Sequence, residues 1–252
     1  VAEGGARRTL TWDAATALVV GEVIGVGIFL TPAAMAKSLG SPALLLAVWL
    51  VIGAGALGGA LCYGELAARW PEAGGAYAYL RQAYGRAVAF LYGWKCLLVL
   101  DPGLTAALAA GLASYVVALL PSLPATGVAI AAIALAALAN ALGLRLAAGL
   151  GRILAFAKVG LLVFIVVWGF LSPGGEGSAF VPFLERRPGS APLVPALAGA
   201  VVAAFFSLGG FWDVSKLAGE AKDPQRTLPR ALALGVLIIT TLYILTTAVF
   251  IH

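Results

Sequence analysis

Two stretches of this sequence hold the residues best suited to bind a ligand. They are Gly21-Glu22-Val23-Ile24-Gly25-Val26-Gly27-Ile28-Phe29 and Phe205-Phe206-Ser207-Leu208-Gly209-Gly210-Phe211-Trp212-Asp213. Each puts a glycine pair in the middle of an apolar run, where the backbone can leave a helix and a ligand can approach it closely. The N-terminal end of an interrupted helix suits a carboxylate, and freed carbonyls suit an ammonium or a cation. A zwitterion fits both ends. The same glycines could serve as packing notches between helices, but matched breaks in two separate runs favour a ligand site. Four ionisable residues stand in or beside apolar runs: Glu22, Asp101, Lys158 and Asp213. Each can act on a substrate or proton, or be a satisfied structural or interfacial charge. Catalysis has little to work with. The single histidine is His252, and Cys62 and Cys96 lie in apolar sequence, so no nucleophile–base pair, disulfide framework, metal set or cofactor motif is indicated.

The elements that must carry these stretches follow from composition. The 252 residues are 62% hydrophobic and only 11% charged, with a mean hydropathy of +1.02 and a net charge of +5. A soluble domain carries about 25% charged residues. The shortfall excludes a disordered chain, a nucleic-acid module and an ordinary cytosolic enzyme, and makes the lipid bilayer the first partner. Runs long enough to cross a bilayer occur at 11–36, 43–68, 88–120, 125–144, 153–171, 193–217 and 228–251. No ten-residue alternation suggests a barrel. The sequence therefore predicts an all-α polytopic membrane protein of about seven helices, with the glycine pairs in the first and sixth. With the N-terminus in the cytoplasm, Arg7, Arg8, Arg69, Arg81, Arg86, Arg145, Arg152, Lys222, Arg226 and Arg230 fall inside, against Lys37, Arg186 and Arg187 outside. This is a positive-inside distribution for a multi-pass protein of the cell membrane. The apolar run that reaches His252 without a polar tail reads as a truncated chain.

Several motifs resemble one family. Gly25-Val26-Gly27-Ile28-Phe29 with Thr31-Pro32 is similar to the helix-one signature of the amino acid–polyamine–organocation (APC) superfamily, and Phe206-Ser207-Leu208-Gly209-Gly210-Phe211 to its helix-six stretch. Pro71-Glu72-Ala73-Gly74-Gly75-Ala76-Tyr77 resembles the loop after its helix two. The twelve-residue run from Glu220 to Ala231, with Lys222-Asp223-Pro224 and Leu228-Pro229-Arg230, resembles the loop after its helix six. Asn140, Gly143, Arg145 and Lys158 stand at the family spacing across helices four and five.

The resemblance implies the LeuT-like five-plus-five inverted-repeat transporter fold, with helices one and six discontinuous. The chain would be one incomplete transmembrane domain, 1–252, in which 11–171 is the first repeat and 193–252 the start of the second. It also implies an amino acid substrate held between the two breaks. The backbone at Gly25, Val26, Gly27 and Ile28 would meet the α-carboxylate, and the Val23 carbonyl the α-amine. Phe206, Ser207, Leu208, Gly209 and Gly210 would line helix six, Phe206 as an aromatic gate. Val26 stands where the family usually has serine, and Leu208 where it usually has an aromatic residue. Lys158 matches a lysine that takes the place of a structural sodium ion in sodium-independent members, and Glu22 could carry a proton or pair with it. The expected function is a secondary active permease for neutral amino acids, sodium-independent, either proton-coupled or an exchanger. A carrier of a cationic amino acid or polyamine, and a seven-helix receptor or scaffold, are the alternatives. Nothing in the sequence sets an oligomeric state.

Overall fold

The computed structural model describes residues 8–172 and 183–251; Arg7, residues 173–177 and His252 lie outside the described residues, as does the side chain of Arg145. The helices are α1 (Trp12–Val23), α2 (Gly27–Leu39), α3 (Pro42–Arg69), α4 (Ala76–Tyr84), α5 (Arg86–Lys95), α6 (Asp101–Leu119), α7 (Ala125–Ala141), α8 (Leu144–Leu171), α9 (Leu193–Leu208) and α10 (Pro224–Ile251). A π turn at Cys96–Leu100 joins α5 to α6, and a 3-10 helix, Phe211–Glu220, follows α9. The π turn has a local cause. Pro102 has no N–H to donate into the preceding turn, and the Asp101 N–H bonds the Cys96 carbonyl five residues back.

Helix ends follow the local sequence. Gly40, at φ 67°, closes α2 in the left-handed conformation. Ser41 then caps α3 by accepting from the Leu44 N–H, with Pro42 at the first helical position. The Arg186 guanidinium lies at the α2 C-terminus, donating to the carbonyls of Leu39 at 2.9 Å and Ser38 at 3.2 Å. There it meets both the unbonded carbonyls and the negative end of the helix dipole.

Five helical stretches are long and apolar enough to cross a membrane, namely Pro42–Arg69, Arg86–Leu119, Gly149–Leu171, Leu193–Glu220 and Pro224–Ile251. The bent pair α1 and α2, at 51° to each other, makes a sixth if counted as one span. The sequence predicts seven. The difference is α7, whose 17 residues extend about 26 Å at 1.5 Å per residue, short of a hydrocarbon core of about 30 Å.

The described residues form two units, one of 8–79 with 157–251 and one of 80–156. In the first, α10 lies along both α3 and α1, while α9 lies along α2 and α3. Its interior holds Ile24, Ile28, Trp49, Leu232, Ile239 and Tyr243, all fully buried, with Trp49 edge-on to Tyr243 at 5.5 Å. In the second, α6 pairs with α7. Its buried positions are small, Ala89, Ala109, Gly111 and Ala113, and large apolar side chains such as Leu97 and Leu119 face outward. Such a surface suits lipid.

Close approach of α3 to α10 depends on Gly64. A Cβ at this position would stand 2.7 Å from the Pro229 Cα, a backbone atom that cannot swing aside. Gly58, on the same helix, has nothing within 4 Å of that point. Gly64→Ala should therefore destabilise the protein by about 1–3 kcal/mol through overpacking, while Gly58→Ala leaves the melting temperature in detergent unchanged or slightly raised. Equal melting temperatures for the two variants would contradict this packing.

Candidate functional site

Both glycine-bearing stretches interrupt their helices. α1 ends at Val23 and α2 starts at Gly27, leaving Ile24, Gly25 and Val26 between them. α9 ends at Leu208, and the chain turns at Gly209 and Gly210 into the 3-10 helix. Gly210 has φ 101°, which only glycine adopts without strain. Gly27 is constrained differently: a Cβ there would lie 2.8 Å from the Ser207 Cα and 2.7 Å from its Oγ. Gly25 has only the Val23 carbonyl near, at 3.8 Å. The two breaks are adjacent in space. The start of α2 touches the last turn of α9 at Gly27 and Ser207, and Glu22 on α1 lies beside Gly210, its Cγ 3.9 Å from where a Cβ would be.

Each broken end has unsatisfied backbone groups, and the structure supplies partners for some of them. On α1, the Gly21 carbonyl accepts from Lys158 Nζ at 2.6 Å, and the Val23 carbonyl accepts from the Tyr243 hydroxyl at 3.1 Å. Lys158 is half-buried on α8, and Tyr243 is fully buried on α10. On α2, the Val26 carbonyl accepts from the N–H groups of Phe29 and Leu30, both at 3.2 Å. The N–H groups of Gly27 and Ile28 belong to the first turn, which has no intrahelical acceptors, and the N-cap residue, Val26, supplies no side-chain bond to them. They form the positive end of a helix dipole facing the break.

The remaining expected site residues divide by environment. Ser207 and Leu208 are buried, while Phe206 is 43% exposed. The Ser207 hydroxyl donates to the Ala203 carbonyl at 2.9 Å and pairs with the Thr31 hydroxyl at 3.0 Å. Glu22 is exposed, within electrostatic reach of Lys158. Asp213 forms an ion pair with Lys216 at 2.6 Å, one turn along the 3-10 helix, which is the structural reading of that carboxylate. Asp101 opens α6, in the other unit. Sequence reading missed Tyr243, Thr31 and an aromatic group around the 3-10 helix. In that group Phe211 packs on Trp212 at 5.0 Å and edge-on to Tyr63 at 6.3 Å, and Tyr63 meets Tyr79 at 6.2 Å. Burial pushes the Tyr79 phenol above its ordinary pKa. Tyr243 shares α10 with five threonines, so no local signal marked it out.

The family model for amino acid permeases matches residues 10–252. The chain is 30% identical over 236 residues to mouse b(0,+)-type amino acid transporter 1, covering 90% of this chain and 48% of that protein. It is 32% identical over 237 residues to human large neutral amino acids transporter small subunit 2, covering 91% and 44%. It is 28% identical over 256 residues to the serine/threonine exchanger SteT of Bacillus subtilis (strain 168), covering 99% and 56%. The chain thus spans about half the length of the curated relatives it matches, which are membrane amino acid transporters and not enzymes. With its family model covering nearly every residue, the chain belongs to the amino acid permease family of the APC superfamily.

Proposed function

We propose that this chain is the substrate-binding N-terminal part of a secondary active transporter for neutral amino acids, built on the LeuT-like inverted repeat. Helices one to seven would be present, with the N-terminus in the cytoplasm. The observation that carries the reading is the meeting of the two breaks. The N–H groups of Gly27 and Ile28 start α2 at the break where α1 ends in carbonyls, and Gly27 stands against Ser207 in the last turn of α9. A carboxylate would bind the first, and an ammonium the second. With the Val23 carbonyl already accepting one hydrogen bond from Tyr243, its second lone pair is the one left for the substrate amine. Exposed Phe206 beside this backbone suits an aromatic cover over a bound side chain. The similarity to transporters named for large neutral amino acids and for serine and threonine supports the neutral class. Glu22 beside Gly210 favours a second reading, a cationic substrate or a carried proton.

Lys158 supports independence from sodium. Its ammonium occupies the Gly21 carbonyl, and a sodium ion at the same junction would need that oxygen and would be repelled by the charge. A proton could still be exchanged at Lys158 or Glu22, giving proton symport, or one amino acid could be exchanged for another.

Three outcomes are expected of the full-length protein. Gly27→Val should raise the Kd for substrate by about tenfold or more, because the added branch displaces α2 from Ser207 and misaims its donors. Unaltered affinity in Gly27→Val, measured by scintillation proximity, would contradict the site. Uptake into liposomes should be equal in choline and sodium buffers at fixed pH, and Lys158→Ala should impair it or alter its pH profile. A several-fold sodium stimulation of the wild type would overturn the role given to Lys158. Across an amino-acid panel, alanine, serine or leucine should compete at lower concentrations than arginine or lysine; the reverse order would favour the cationic reading.

A further inference from the structure

The hydroxyl pair between α2 and α9 has a direction. Ser207 Oγ carries a single hydrogen, and it goes to the Ala203 carbonyl at 2.9 Å. The 3.0 Å contact with Thr31 Oγ1 must therefore be donated by Thr31. Ser207, only 3% exposed, has its hydrogen committed within α9, so its hydroxyl has no donor left for a substrate. Thr31 stands one turn beyond Gly27, so both residues lie on the same face of α2. Gly27 sets how closely that face approaches Ser207, and the Thr31 hydroxyl sets its rotation about the point of contact.

We propose that Thr31 is a positioning residue, whose hydroxyl bond to Ser207 holds the first turn of α2 in the direction from which its N–H groups meet the substrate carboxylate. The proposal rests on the carboxylate site described above, and it assigns Ser207 to the joint between the helices rather than to contact with substrate. Every amino acid carries the same carboxylate. Loss of the joint must therefore weaken all substrates by the same factor, which a side-chain contact would not do.

The test uses the full-length protein with Thr31→Val, Thr31→Ser, Ser207→Ala and the Thr31→Val/Ser207→Ala double variant. Valine keeps the shape of threonine without the donor. In liposome uptake, Thr31→Val should raise KM about three- to tenfold, the worth of one hydrogen bond, equally for alanine, serine and leucine, and Thr31→Ser should restore it. An unchanged KM, a loss confined to one substrate, or no rescue by serine would overturn the proposal. Melting temperatures without substrate separate this from failure of the transport reading. If the wild type carries no amino acid, the function proposed above is wrong. The joint itself still stands if the losses in the two single variants exceed their share of the double variant's, and falls if they add.

Discussion

Backbone groups left without partners where apolar helices break are the constraint around which this structure is arranged. Lipid offers no hydrogen bonds, so a helix that stops inside the hydrocarbon must find partners in the protein or in a ligand. Where α1 stops at Val23, two carbonyls are taken by side chains from distant elements, Lys158 for Gly21 and Tyr243 for Val23. Both partners are polar groups on long, mostly apolar helices. Placing a charge or a hydroxyl there is costly unless it meets such a carbonyl. The break and the two polar side chains therefore account for one another.

The other side of the break is left open. The residue that begins α2, Val26, supplies no side-chain cap to the first N–H groups, and on the reading proposed above this is the end that would meet an anion. The face of α2 bearing Gly27 and Thr31 lies against Ser207 of α9. A further connection lies at the far end of α1. The Leu10 N–H bonds the Glu220 carbonyl at 2.9 Å, and the Lys222 N–H bonds the Leu10 carbonyl at 3.0 Å. This ties the chain entering α1 to the end of the 3-10 helix. The halves of the two interrupted spans are thus joined crosswise, α2 to α9 and α1 to the 3-10 helix.

Much of this was legible in the sequence because its signals are local. Eleven per cent charge and long apolar runs are sufficient to state a membrane protein, and helix limits follow from Gly40, Ser41-Pro42 and similar punctuation. The places of interruption were readable from the glycine pairs, since loss of Cβ acts at the residue itself. The number of full-length spans was less so. Hydropathy over 125–144 resembles that of its neighbours, and it is the helix ending at Ala141 that makes this element short.

What only the tertiary structure decided is which glycine does what and which polar group meets which. Gly25 and Gly27 look alike in the sequence. One has only the Val23 carbonyl within reach and the other is pressed on Ser207, because helix packing brings α9 to only one of them. Gly210 is required for its positive φ, and its neighbour Gly209 has ordinary extended backbone. Tyr243 lies 220 residues from the carbonyl it bonds, and Thr31 lies 176 from Ser207. No spacing rule reaches across such distances. Composition and periodicity determine that helices form and where they fail, since these depend on neighbours in the chain. The partners of the broken ends depend on which faces pack together, and that is settled only when the helices assemble.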